Sequence, residues 1–132
     1  YIMRLIREFM AALQLLLEGK DLEHRREELK KLYEQYIGPY ELYHNATIDV
    51  AMRALASYDE GQRLERMEML AELYYAEADT VTGPDRNFLL DKAFNLFSFI
   101  ERNGKTFSMD RRYKMALIEQ RMKKCSGKTR CE

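Results

Sequence analysis

The chain has 132 residues, of which 46% are hydrophobic and 33% charged, a mixture typical of one folded globular domain rather than a disordered segment. Acidic and basic residues balance at 22 each, so overall charge favours neither nucleic-acid nor membrane binding. The absence of Trp, the scarcity of Pro and Gly, and the abundance of helix-favouring residues predict an all-α fold.

The first stretch of the chain is apolar but does not resemble a targeting signal. It contains Arg4, Arg7 and Glu8 and lacks a small-residue cleavage site. No uncharged run approaches the ~20 residues that span a bilayer. With two Cys and no export signal, the sequence predicts a reduced cytoplasmic protein without membrane association.

Apolar periodicity predicts about six helices in a single domain over residues 1–124, followed by a flexible tail at 125–132. Asp21 is the predicted N-cap of the second helix, and Gly38-Pro39 ends that helix because Pro lacks the N–H that its continuation needs. The helix at 85–102 is apolar on adjoining stripes and is the predicted centre of the core. The predicted helices cover about 2–18, 21–37, 47–57, 63–79, 85–102 and 108–124.

Two stretches of the chain echo each other at an offset of 41 residues. Residues 25–33 read R-R-E-E-L-K-K-L-Y and residues 66–74 read R-M-E-M-L-A-E-L-Y, identical at five of nine positions. The next helix after each stretch keeps the same phase at that offset. The echo predicts two stacked parallel helical hairpins, as in a tetratricopeptide-like αα-solenoid, with capping helices at both ends. The alternative is an irregular six-helix bundle, because the strict 34-residue period is absent.

Charge is segregated between two predicted helices. Residues 57–79 hold seven acids against two bases, and residues 108–132 hold eight bases against three acids. One interpretation is pairing within the chain, with surface pairs worth about 0–1 kcal/mol each. The other is that the basic C-terminal helix binds an acidic partner or nucleic acid. Nucleic acid is the less favoured partner, because the helix lacks interleaved aromatics and glycines.

Four tyrosines, Tyr33, Tyr36, Tyr40 and Tyr43, are spaced by three, four and three residues across the Gly38-Pro39 break. Aromatic residues at helical spacing usually pack in a core, with their hydroxyls at its edge. The alternative is an aromatic-lined groove that binds a peptide, which helical repeat proteins often form.

The two histidines of the chain each come after a carboxylate at metal-ligand spacing, in Asp21-x-x-His24 and Glu41-x-x-His44. A carboxylate-bridged di-metal bundle needs two Glu-x-x-His pairs and two further Glu residues pointing inward from helices. Here one pair comes just after the Gly38-Pro39 break and the other begins a helix. A metal-dependent enzyme is therefore a remote alternative, and the sequence predicts no catalytic residue, metal ligand or cofactor.

Three strings together resemble a family of small, uncharacterised bacterial helical proteins with a tetratricopeptide-like core. They are Y-I-M-R-L-I-R-E-F at 1–9, R-M-E-M-L-A-E-L at 66–73 and F-S-M-D-R-R at 107–112. The resemblance implies a cytoplasmic bacterial protein with the hairpin fold. It transfers no functional residues.

The sequence thus predicts a non-catalytic module that binds another protein or a peptide, or that self-associates as a homo-oligomer, through a helical surface. Tyr36, Tyr40 and Tyr43 are the candidates for a groove. Glu65, Glu68 and Glu72 share one helix face and are the candidates for an acidic recognition surface.

Overall fold

The computed structural model describes the backbone of residues 1–126 and the side chains of residues 1–123. This part of the chain is helical and contains no strand, which confirms the all-α prediction. It forms seven helices rather than about six, because the short segment after Gly38-Pro39 is a helix of its own. Most of the predicted tail at 125–132 lies outside the described residues. The helices are α1 (Ile2–Leu17), α2 (Leu22–Tyr36), α3 (Tyr40–Asn45), α4 (Ile48–Leu55), α5 (Glu60–Ala78), α6 (Gly83–Asn103) and α7 (Met109–Ser126).

Local chemistry sets several helix ends. The Asp21 carboxylate accepts a hydrogen bond from the backbone N–H of Glu23 at 3.1 Å, the N-cap that the sequence predicts. Gly38, after the end of α2, has a φ of 157°. A Cβ there would lie 2.8 Å from Cε2 of Tyr43, so only glycine lets that ring pack against the turn between α2 and α3.

The centre of the core is shared between α5 and α6. These two helices form the most extensive helix pair, and α5 also packs against α1, α2 and α4. The sequence predicts a core centred on the helix at 85–102, but α5 contributes as much of it, since Leu70, Leu73 and Tyr74 are completely buried. Side chains of α5 can therefore contact side chains of α1, α2, α4 and α6.

Helix α2 runs antiparallel to α5. Arg26, near the start of α2, donates to the carbonyl of Thr80 just beyond the end of α5. At the other end, the carbonyl of Tyr36 accepts from Arg66 near the start of α5. The parallel stacking predicted from the 41-residue echo is therefore wrong for these two helices. The echo reflects a shared burial pattern, because both copies bury their two leucines and their tyrosine.

Helix α7 runs parallel to α5 and is joined to it by three ion pairs in matching order. Arg111 lies 3.0 Å from Glu68, Lys114 lies 2.6 Å from Glu72, and Arg121 lies 3.4 Å from Asp79, measured between nitrogen and oxygen atoms. The acidic and basic helices thus pair with each other within the chain.

Candidate functional site

Two of the three tyrosines proposed for a groove are buried. The Tyr36 hydroxyl donates to Oε1 of Glu8 at 2.8 Å, and its ring packs edge-on against Phe9. Tyr43 is also buried, and its carbonyl accepts a hydrogen bond from the Tyr74 hydroxyl at 2.6 Å. Neither ring is accessible to a peptide, so the described structure does not form an aromatic groove from them.

Tyr40, the third, is half-buried and belongs to a group of polar side chains around Glu77. Glu77 lies near the end of α5 and is only 5% exposed. Its Oε1 accepts from the Tyr33 hydroxyl at 2.7 Å, while its Oε2 accepts from the Tyr40 hydroxyl and lies 2.8 Å from Nδ1 of His44. We call Tyr33, Tyr40, His44 and Glu77 the Glu77 cluster.

The Glu41-x-x-His44 motif lies at a polar site, but Glu41 is not the carboxylate that contacts His44. Glu41, four residues from Asn45 on α3, directs its carboxylate to the Asn45 amide at 3.2 Å. The partner of His44 is instead Glu77, 33 positions further along the chain. No local spacing signals that contact, because it depends on how α3 packs against the rest of the fold.

Hydrogen bonding sets the protonation of the cluster. Burial acts to raise the pKa of Glu77, but the hydrogen bonds from His44, Tyr33 and Tyr40 outweigh it and hold that pKa below its ordinary value. The hydrogen bond to Glu77 raises the pKa of His44, against the opposing effects of burial and of Lys92. The two groups therefore favour the ion-paired state, with a charged imidazolium beside a charged carboxylate.

This pairing predicts a pH dependence of stability. His44, whose pKa is raised from 6.5, contributes fully below pH 6.5, and its contribution is lost as pH rises through the folded-state pKa. Glu77, whose pKa is lowered from 4.5, contributes fully above pH 4.5, and its contribution is lost as pH falls through its folded-state pKa. We therefore expect the pair to stabilise the fold most between pH 4.5 and 6.5.

An NMR titration of the His44 ring tests this directly. Glu77→Gln should abolish the rise in the His44 pKa and flatten the pH dependence of unfolding above pH 6.5. Glu41→Gln is the comparison variant, because the Glu41 carboxylate is exposed and not bonded to His44, so it should lower the His44 pKa by less than Glu77→Gln does. Equal effects of the two substitutions on the His44 pKa would contradict the assignment of Glu77 as its partner.

A buried lysine holds the C-terminal end of α3. Lys92, on α6, is 1% exposed, and its Nζ donates to the carbonyls of Tyr43, His44 and Ala46 at 2.9–3.2 Å. The ammonium also lies 4.2 Å from the ring centroid of Tyr74. Burial lowers the pKa of Lys92 to about 8. Together Lys92 and Glu77 fix the position of His44 from both sides.

The Glu77 cluster opens into a cavity of about 250 Å³ between α2, α3 and the end of α5. Both cationic and apolar groups surround it. The lining residues are Arg26, Lys30, Tyr40, His44, Glu77, Thr80 and Val81.

The three proposed acidic-face residues have different environments. Glu68 and Glu72 pair with Arg111 and Lys114, and Glu72 is 4% exposed, so these two carboxylates serve the contact with α7. Glu65 is half-buried and lies in a groove of about 340 Å³ near the start of α5. The groove is lined by Met3, Ile6, Leu64, Glu65, Glu68, Ile100, Asn103, Gly104, Lys105 and Thr106.

Within residues 1–123, no group of three or more His, Cys, Asp or Glu side chains is close enough together to hold a metal ion. His24, the other histidine of the chain, lies on the exposed face of α2, 3.9 Å from Glu28. Over the same residues, none of the helices is both long and apolar enough to cross a membrane.

The chain matches no protein-family model, and neither the curated proteins nor the solved structures contain a match to it. The class of protein can therefore be inferred only from the fold and cavities of the chain itself. The described residues form an all-helical fold with an apolar groove near one end of its central helix and a polar cavity near the other.

Proposed function

We propose that this protein is a non-catalytic binding module that accepts an amphipathic segment of another protein in the groove at Glu65. One observation carries the proposal. Glu65 is a half-buried carboxylate beside apolar side chains, and no ion pair within the described part of the chain involves it. Its neighbours Glu68 and Glu72, on the same helix face, each have a cation from α7.

The groove has the features of a surface that receives a helix. Met3 is 58% exposed at its edge, and Ile6, Leu64 and Ile100 contribute further apolar surface. Covering apolar surface contributes roughly 25 cal/mol per Å². A half-buried carboxylate without a partner gains a charge-assisted hydrogen bond when a cation binds beside it.

These features specify the chemistry of the bound segment. An apolar anchor that fills the groove and a Lys or Arg one helical turn away would satisfy both the apolar wall and Glu65. Lys105, from the loop between α6 and α7, also lines the groove and would favour an acidic residue in the same segment.

The pairing of α7 with α5 favours this proposal over nucleic-acid binding. Arg111, Arg112, Lys114 and Arg121 each lie within 4.0 Å of a carboxylate of the same chain. Phosphate binding would have to compete with these intramolecular partners. The exposed basic surface of α7 is therefore smaller than its sequence indicates.

A designed helical peptide of leucine and lysine, labelled for fluorescence anisotropy, tests the groove. We expect saturable binding that Glu65→Lys weakens by about tenfold or more, since it replaces an attraction with a repulsion. Glu60→Lys is the matched control, because it makes the same charge change at an exposed position of α5 outside the groove.

The outcomes separate the possible occupants. Equal binding of a leucine–glutamate peptide, or equal weakening by Glu60→Lys, would contradict recognition by Glu65. Sedimentation velocity without peptide shows whether the occupant is a second copy of the chain. In that case a concentration-dependent dimer should form, and Glu65→Lys should dissociate it.

A further inference from the structure

We propose that the cavity beside the Glu77 cluster is a second binding site, for the oxyanion group of a small molecule, either a carboxylate or a phosphate. This site is independent of the proposed groove. Glu65 and Glu77 lie about 18 Å apart along α5 at 1.5 Å per residue, so the two cavities occupy opposite ends of one helix.

Two cations of α2 line the cavity. Arg26 and Lys30 are four residues apart, which places them one above the other on the same helix face. Their nearest carboxylates, Glu23 and Glu27, lie 3.9 Å away and are largely exposed. Such pairs are worth about 0–1 kcal/mol, so a bound anion can compete with them.

The guanidinium of Arg26 is positioned before any ligand arrives. Its Nη2 donates to the carbonyl of Thr80, which itself lines the cavity. That bond holds a long, flexible side chain against the cavity edge. A preorganised donor binds an anion more tightly than a mobile one, because less side-chain entropy is lost on binding.

His44 also lines this cavity, and its Nε2 would supply a further donor to the bound oxyanion. Its Nδ1 faces Glu77, whereas Nε2 has no hydrogen-bond partner within the described residues, and the side chain is 32% exposed. The bond to Glu77 fixes the orientation of the ring. Both oxygens of Glu77 already accept hydrogen bonds, so the buried carboxylate is neutralised by its own donors.

The protonation of His44 supports this role. The groups that act on it are Glu77 from α5, Glu41 from α3 and Lys92 from α6, and the hydrogen bond to Glu77 dominates. The pKa of His44 is raised as a result, so Nε2 carries a proton further toward neutral pH. A protonated Nε2 can donate to an oxyanion, and binding should weaken as pH rises through that pKa.

The size and walls of the cavity limit the ligand. Its volume of about 250 Å³ is below the roughly 300–1,000 Å³ of sites that take drug-sized ligands. The Tyr40 ring and Val81 supply apolar contacts next to the cations. These dimensions suit a small organic acid or a small phosphate ester.

Long-range proton–nitrogen NMR spectra of the two histidine rings test the site, with inorganic phosphate and acetate as probes at constant ionic strength. We expect saturable shifts of His44, while His24, which is 68% exposed and outside the cavity, serves as the internal control. Lys30→Gln should weaken binding about tenfold, the loss expected for one charge-assisted hydrogen bond. Lys31→Gln is the matched control, because Lys31 is exposed and does not line the cavity.

Each outcome of these titrations either supports or overturns the proposed oxyanion site. Saturation by phosphate alone identifies a phosphate site, and saturation by acetate alone identifies a carboxylate site. Parallel, non-saturating shifts of both histidines, or equal weakening by Lys30→Gln and Lys31→Gln, would overturn it. Peptide binding in the groove is measured separately, so failure here leaves the proposed function standing, and the converse also holds.

Discussion

Arg111→Met should lower the free energy of unfolding by about 3–5 kcal/mol, the loss typical of removing one partner from a buried ion pair. Arg111 is 1% exposed at the start of α7. Its guanidinium lies 3.0 Å from Glu68 and 2.8 Å from Glu101, and it donates to the carbonyl of Thr106 at 2.8 Å. Methionine fills similar volume but leaves two carboxylates and a carbonyl without this donor.

The next residue supplies a matched control. Arg112 also contacts Glu101, at 3.3 Å, but is 61% exposed, so Arg112→Met should cost no more than about 1 kcal/mol. Urea unfolding followed by circular dichroism measures both variants under the same conditions. Similar losses for the two arginines would show that burial of Arg111 does not control the docking of α7.

Lys92→Met should also be strongly destabilising, by about 3 kcal/mol, because it removes a donor to three carbonyls at the end of α3, of which only that of Tyr43 keeps another donor, the Tyr74 hydroxyl. A buried acceptor left without a partner costs about 1–3 kcal/mol, and relaxation or water offsets part of the total. Methionine keeps contact with the surrounding aromatic rings, so the loss reports the hydrogen bonds rather than a cavity. Amide exchange should accelerate in α3 before it does in α7.

The pKa of Lys92 gives this prediction a second measurement. Burial lowers it from 10.5 to about 8, so above pH 8 the folded protein releases a proton that the unfolded chain retains. Stability of the wild-type protein should therefore gain a rising contribution between pH 8 and 10.5, which Lys92→Met lacks. Lys31→Met, at an exposed position, should retain that rise. Identical pH profiles for wild type and Lys92→Met would contradict the assignment.

Local sequence chemistry is sufficient to predict most of the helices. Asp21 begins α2 as expected, and Gly38-Pro39 separates α2 from α3, because capping and φ preferences act over a few residues. The segment after Pro39 is too short to show a period, so the sequence pattern does not identify α3 as a separate helix. Periodicity needs several turns before it indicates a helix.

The candidate sites are predictable only in part. The acidic helix face identifies Glu65, but the same pattern selects Glu68 and Glu72, which α7 neutralises. The tyrosine spacing identifies Tyr40 together with three tyrosines that are buried, Tyr33, Tyr36 and Tyr43. The spacing does not distinguish Tyr40 from the buried tyrosines, because the exposure of a side chain depends on which other helices pack against it.

The sequence by itself determined the helical class, the main helix boundaries and the buried faces, since these depend on propensity, capping and a period of 3.6 residues. Only the tertiary structure decided that α2 runs antiparallel to α5 and that Glu77 contacts His44, Tyr33 and Tyr40. An apolar stripe specifies which face is buried but not the direction of the neighbouring helix. A buried carboxylate in a helix carries the same local signal as an exposed one, so its role becomes visible only when distant donors converge on it.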